Sequence, residues 1–99
     1  MNQNTKHIMN ILKKANEIVN ERSEEKERQY GDFIECMKKT ARIASEMSSK
    51  DITTEDAYNV LIALKLSRQS NNHKEDNLLD AVAYIGSLNN YKLNTNNNG

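Results

Sequence analysis

The stretch HKEDNLLDAVAYIG, residues 73–86, carries polar side chains at helical spacing among apolar ones. Asp76, Asp80 and Tyr84 follow one another at intervals of four residues, and Asn77 precedes Asp80 by three. Because residues three or four apart share one face of a helix, these carboxylate, amide and phenol groups lie close together. Carboxylate and amide oxygens are the ligands that Mg²⁺ and other hard cations prefer. The spacing therefore raises the question of a metal site.

A second set of polar residues lies upstream of this stretch. Asp56 and Asn59 are three residues apart near the start of the preceding predicted helix, and Lys65 and Arg68 are three apart near its end. A short link, QSNNHK, joins the two predicted helices, which favours an antiparallel pair. In such a pair, Lys65 and Arg68 would lie beside the carboxylates that follow the link.

This pattern supports two interpretations. In one, the charges form salt bridges and hydrogen bonds between helices, because a buried carboxylate without a partner is costly. In the other, oxygens from both helices converge on Mg²⁺ while the cations bind phosphate. Simple exposure of these residues to solvent is the remaining alternative.

Four amphipathic segments are available to position these groups. Apolar residues at helical spacing predict helices over residues 5–28, 32–47, 54–69 and 74–90. The chain has no proline and only three glycines, which favours helices over strands. Thr53, followed three residues later by Asp56, predicts a capping box at the third helix. We therefore expect an all-α, four-helix bundle-like fold in a single domain, residues 1–90, with a disordered Asn-rich tail, residues 91–99.

The same spacing predicts which side chains are buried. In the third helix these are Ala57, Val60, Leu61 and Leu64. In the second helix they are Phe33, Met37, Ala41, Ala44 and Met47. Cys36, the single cysteine, is expected to serve packing, since no partner residue indicates a nucleophile.

The composition argues against several classes of function. Lysine and arginine (14) balance aspartate and glutamate (14), so no basic patch indicates a nucleic-acid partner. No apolar run approaches the roughly 20 residues that cross a bilayer, and one cysteine cannot form an internal disulfide, which indicates the cytoplasm. A chain of 99 residues with a 36% hydrophobic fraction is expected to be marginal alone, so we expect a homo-oligomer.

Three segments, RQYGDF, ITTEDAYNVLIALKLSR and HKEDNLLDAVAYIGSL, occur in an order that resembles a phage-encoded family of small MazG-like helical proteins. The resemblance covers about residues 30–88. The wider superfamily is the all-α nucleoside triphosphate pyrophosphohydrolases, helical bundles that dimerise or tetramerise and use Mg²⁺ to release pyrophosphate. Their metal signature is E-E-x-x-E on one helix and E-x-x-D on the next.

The resemblance implies a metal site on this chain. The positions that would hold Mg²⁺ are Asp56, Asn59, Asn77 and Asp80, with Asp76 and Glu55 compensating in part for the missing charge. Asp56 and Asp80 would be the catalytic carboxylates. Because two of the four signature positions are asparagine, the site would carry less negative charge and bind a hard dication more weakly.

The resemblance also implies a nucleotide contact surface, formed by Lys65, Arg68, His73, Tyr84 and Tyr30. Lysine and arginine would face the phosphates, and a tyrosine would stack on the base. Three functions follow: a Mg²⁺-dependent pyrophosphohydrolase, a phage protein that sequesters a nucleotide or nucleotide-derived signal without turning it over, and a helical protein that binds and inhibits a host defence protein. Each would act in the host cell cytoplasm.

Overall fold

A computed structural model describes residues 10–21 and 32–98 of the chain. Within these ranges the chain forms four α-helices, α1 (Ile11–Asn20), α2 (Phe33–Ser48), α3 (Thr54–Asn71) and α4 (Glu75–Asn98). The same ranges contain no β-strand, so the prediction of an all-α fold is confirmed. Among the helices described, none has both the length and the apolar character needed to cross a membrane.

Side chains at two helix starts fix where α2 and α3 begin. Asp32 caps α2, because its carboxylate accepts a hydrogen bond from the Ile34 N–H at 3.0 Å. At α3, the Thr53 hydroxyl accepts from the Asp56 N–H and the Asp56 carboxylate accepts from the Thr53 N–H, each at 3.0 Å. This reciprocal pair is the predicted capping box, and it satisfies N–H groups that lack a partner within the helix.

The central element is α4, which packs against both α1 and α3. The contacts between α3 and α4 form a seam along which residue numbers rise in α3 as they fall in α4. The two helices are therefore antiparallel, as the short link predicts. The seam contacts are Glu55–Lys92, Tyr58–Ser87 and Lys65–Asp80. By contrast, α1 runs parallel to α4, since Ala15 packs with Leu79 and Ala83 while Asn20 accepts a hydrogen bond from Asn90.

Small side chains dominate the buried core of the described residues. Five of its eight hydrophobic members are alanines, in the set Ala15, Met37, Ala41, Ala57, Tyr58, Leu79, Ala81 and Ala83. Tyr58, at 0% exposure, is the largest side chain that is fully buried. Many large apolar side chains lie on the surface, including Leu12, Ile18, Ile43, Met47, Val60, Leu64, Leu66, Ile85 and Leu93. The helices therefore approach closely while leaving much apolar area in water.

Several residues predicted to be buried are exposed. Val60 and Leu64 of α3 are 65% and 42% exposed, and Met47 of α2 is 82% exposed. In α3, apolar side chains occupy nearly every face, so their spacing does not single out one buried stripe; Tyr58 points inward in their place. The packing role expected for Cys36 is also wrong, because this cysteine is exposed.

The first helix ends earlier than predicted. The structure ends α1 at Asn20, with Glu21 as its C-cap, whereas the prediction continued to residue 28. The apolar stripe of the sequence stops at Val19, and residues 20–29 are all polar. The remainder of that predicted helix lies outside the described residues.

The last helix ends later than predicted. The structure continues α4 to Asn98, past residue 90, so the segment predicted to be a disordered tail is helical up to Asn98. Tyr91 stacks with Tyr58, at 6.4 Å between ring centroids, and Lys92 pairs with Glu55 at 3.0 Å. These contacts anchor the extension, and the Asn-rich composition does not reveal them.

Candidate functional site

An open cleft lies between α1, the start of α2 and the middle of α4. Its volume is about 330 Å³, and its lining residues are Ile18, Val19, Asp32, Phe33, Ile34, Asp80, Ala83, Tyr84, Ser87 and Asn90. Sites for small organic ligands typically measure about 300–1,000 Å³ and combine apolar walls with a few polar groups. The cleft therefore has the size and lining of a small-molecule site.

Two stacked aromatic rings form one wall of the cleft. The Phe33 and Tyr84 ring centroids are 5.7 Å apart and their planes differ by 12°. Phe33 in turn meets Tyr58 edge to face, with centroids 5.9 Å apart at 75°. Because Tyr58 is fully buried, this second contact fixes the aromatic wall to the core. A fixed aromatic wall suits a planar ring, which gains from stacking geometry as well as from burial.

Beneath the wall, Tyr58 and Ser87 form a buried hydrogen bond with 2.6 Å between their hydroxyl oxygens. Burial raises the pKa of the Tyr58 phenol above its ordinary value of 10.0, the hydrogen bond with Ser87 opposes this shift, and the negative charge of Asp32 adds to it. The phenol is therefore held in its neutral form. This bond joins α3 to α4 directly below the cleft.

Asp80 borders the cleft and forms an ion pair with Lys65 across the seam of α3 and α4. The Lys65 Nζ lies 2.8 Å from the Asp80 carboxylate, and the two side chains are 18% and 36% exposed. Partial burial strengthens such a pair and limits screening by salt. The first of the two interpretations of the charge pattern, an interhelical salt bridge, is thus confirmed for these two residues.

The other polar residues near the α3–α4 link do not line the cleft. Asn77 is buried, whereas Asp76, Arg68 and His73 are exposed. The His73 Nδ1 lies 2.6 Å from the Gln69 side-chain nitrogen, in a contact that closes the end of α3. Tyr30, predicted to contact a nucleotide, lies outside the described residues.

The residues implied to bind Mg²⁺ do not converge within this chain. Tyr58 opposite Ser87 and Lys65 opposite Asp80 set the register between α3 and α4. In that register Asp56 lies opposite a position of α4 that is about nine residues beyond Asp80. The two carboxylates are therefore separated by about 13 Å along the helix axis. Two carboxylates that far apart do not ligate one ion.

The two asparagines of the implied set are separated in the same way. Asn59 lies about two and a half turns of α3 away from the level of Asn77, and it is exposed whereas Asn77 is buried. Within residues 10–21 and 32–98, no group of three or more histidine, cysteine, aspartate or glutamate residues is arranged to hold a metal ion. The register between α3 and α4 thus does not bring the four positions together around one Mg²⁺ within this chain.

A known protein family matches the part of the chain that contains these helices. A family model described as a domain of unknown function (DUF6378) matches residues 10–92, which include every residue that lines the cleft. The chain belongs to this family. No curated protein and no solved structure matches it.

Of the ten residues that line the DUF6378 cleft, two, Asp80 and Tyr84, were singled out as site residues from the sequence; the polar and aromatic ones that were missed are Asp32, Phe33, Ser87 and Asn90. Ser87 continues the helical spacing of Asp80 and Tyr84, so that spacing signals it. Asp32 is the last residue of the turn sequence YGD and Phe33 follows it at a predicted helix start, yet nothing in their spacing places them opposite Tyr84. Their position depends on how α2 packs against α4.

Proposed function

We propose that this DUF6378 protein binds a nucleotide in the cleft, with the base against the wall formed by Phe33 and Tyr84. The observation that carries the proposal is this stacked pair at the edge of a cleft of about 330 Å³. Stacking of a base on an aromatic side chain contributes about 1–3 kcal/mol and tolerates different bases. Tyr84 is also one of the two residues, with Tyr30, that the resemblance to MazG-like proteins implies for this role.

The charges of the cleft indicate how the nucleotide would be oriented. Asp32 and Asp80 are carboxylates, which repel phosphate but accept hydrogen bonds from base N–H groups and ribose hydroxyls. Lys65 meets Asp80 from the α3 side, and among the ion pairs described this is the one whose carboxylate lines the cleft. The base and sugar would therefore enter the cleft, and the phosphates would remain outside it, beyond the Lys65–Asp80 pair.

Binding without turnover is the form of this function that the geometry favours. The Mg²⁺ ligands implied for a pyrophosphohydrolase are spread over about two and a half turns of helix, or roughly 13 Å. No hydrolytic step is therefore assigned to them. Retention of a nucleotide-derived signal, as in the sequestration suggested by the resemblance to phage proteins, requires only the cleft.

Calorimetric titration with nucleoside triphosphates and cyclic nucleotides tests the proposal. We expect at least one to bind, with Tyr84→Leu raising its Kd by about 10-fold or more because the stacking surface is lost. Tyr84→Phe keeps the ring and is expected to keep the affinity. Ile85→Ala, at the exposed neighbouring position outside the cleft, is the matched control and should bind like the unmodified protein.

Two outcomes would contradict the proposal. One is the absence of binding by every nucleotide at millimolar concentration, and the other is a Kd that Tyr84→Leu leaves unchanged. A pyrophosphate-release assay with millimolar Mg²⁺ separates retention from hydrolysis. Release that Asp80→Asn abolishes would show turnover and would overturn the assignment of retention.

A further inference from the structure

The outward face of α3 carries aliphatic side chains flanked by opposite charges. Asp56, Val60, Leu64 and Arg68 follow one another at intervals of four residues and form one ridge along the helix, here called the α3 ridge. All four side chains are exposed. The inner side of α3 is already occupied, because Tyr58 and neighbouring residues pack against α2 and α4.

The α3 ridge is complementary to itself when reversed. Its order is acid, aliphatic, aliphatic, base, and its midpoint falls at Ile62. In an antiparallel pairing of two copies about that midpoint, Val60 meets Leu64 of the partner subunit and Asp56 meets Arg68 of the partner subunit. A two-fold axis then repeats each contact, which is the property of an isologous interface.

We propose that a second copy of this chain covers the α3 ridge in this antiparallel arrangement. The two-fold pairing removes Val60 and Leu64 from water and places each charge opposite one of the other sign. A parallel pairing would place like charges together and is disfavoured. A partner of different sequence would not require the α3 ridge to be complementary to a second, antiparallel copy of itself.

The dimer interface is independent of the proposed nucleotide binding. No residue of α3 lines the cleft, so a partner on the α3 ridge leaves the cleft open. Failure of either proposal would therefore leave the other standing. The inference adds a specific surface and orientation to the expectation that a chain this small is oligomeric.

A matched pair of substitutions on α3 tests the surface. Sedimentation of the full chain at micromolar concentration is expected to give twice the chain mass of 11.4 kDa. Leu64→Asp should raise the dimer dissociation constant by roughly 100-fold or more, because it buries a charge at the centre of the interface. Leu66→Asp alters an exposed leucine on another face of α3 and should leave the dimer intact.

A charge exchange tests the orientation. Asp56→Arg and Arg68→Asp each place like charges opposite each other, so each variant alone should dimerise poorly. Mixed together, the two variants should form a heterodimer, since every arginine then faces an aspartate. Circular dichroism checks that both remain helical, because Asp56→Arg also removes one half of the capping box.

Three results would overturn the proposal. They are a monomeric unmodified protein, equal effects of Leu64→Asp and Leu66→Asp on dimerisation, and charge variants that associate with themselves as well as with each other. Retention of the dimer by Leu64→Asp, together with loss of binding to some other protein, would assign the ridge to that partner instead.

Discussion

The cleft and the α3 ridge are two exposed surfaces with opposite characters. The cleft is concave, with stacked aromatic rings at its edge and carboxylates in its lining. The ridge is convex and aliphatic, with one charge at each end. Concave mixed surfaces suit small ligands, whereas exposed aliphatic surfaces bounded by polar residues suit protein partners. One small fold therefore presents separate surfaces for two kinds of contact.

The packing of α3 explains why the two surfaces can coexist. Its inner side holds Tyr58 against Ser87 and Lys65 against Asp80, which are specific polar contacts. Its outer side holds aliphatic residues that an isolated helix bundle would be expected to bury. Because the polar contacts fix the register and the core is made of small residues, the large aliphatic side chains remain available for association.

Loss of Tyr58 should disrupt both surfaces and is the largest effect we predict. The side chain supports Phe33 at the cleft and fills the inner side of α3 behind the ridge. Tyr58→Ala should lower the free energy of unfolding by about 3–5 kcal/mol, as for other buried aromatics. Tyr58→Phe should cost about 1 kcal/mol, because only the hydrogen bond to Ser87 is lost.

Urea denaturation at one fixed protein concentration measures both losses, since association also shifts stability. Ile85→Ala, at an exposed position, is the control and should change stability by less than about 0.5 kcal/mol. A Tyr58→Ala variant as stable as this control would show that Tyr58 is not the centre of the core.

The Tyr58 phenol should also make stability depend on pH in the alkaline range. Its pKa in the folded protein is raised above the ordinary value of 10.0, chiefly by burial. The folded state therefore holds this proton more tightly than the unfolded state. The resulting stabilisation is complete below pH 10 and is lost as pH rises through the raised pKa. The difference in stability between the unmodified protein and Tyr58→Phe should shrink over that range, and a difference that stays constant would contradict the shift.

A smaller effect is expected for the Lys65–Asp80 ion pair, which joins α3 to the edge of the cleft. A double-mutant cycle with Lys65→Met and Asp80→Asn should give a coupling of about 0.5–1 kcal/mol, since the pair is only partly buried. The Glu55–Lys92 pair on the same seam is more exposed, at 45% and 48%, and serves as the matched control. Its coupling should be below about 0.5 kcal/mol. Equal couplings for the two pairs would contradict this account, as would weaker dimerisation in the Lys65→Met variant.

Local sequence signals predicted much of the architecture. The spacing of apolar residues located four helices, and the Thr53–Asp56 pattern located the start of α3. The short link predicted the antiparallel seam, and with it the proximity of Lys65 to Asp80. These features depend on residues close in sequence or on one connection, so a single sequence contains the information.

Contacts between distant segments could not be predicted in the same way. The cleft joins α1, the start of α2 and α4, and no spacing rule places Phe33 against Tyr84. In α3 the spacing wrongly selected Val60 and Leu64 as buried. A helix that is apolar on most faces has no single preferred stripe, so the spacing does not identify the side that packs. The structure turns Tyr58 inward and leaves those two residues exposed.

Backbone amide NMR of the dimer, titrated with a nucleotide that binds, tests most directly whether the two surfaces act separately. We expect shifts at the cleft residues Phe33, Asp80, Tyr84 and Ser87, because a base against the aromatic wall changes their surroundings. The amide signals of Val60 and Leu64 should not shift, since the partner subunit and not the nucleotide covers these residues. Shifts concentrated on α3, or no shifts in the cleft, would contradict the account.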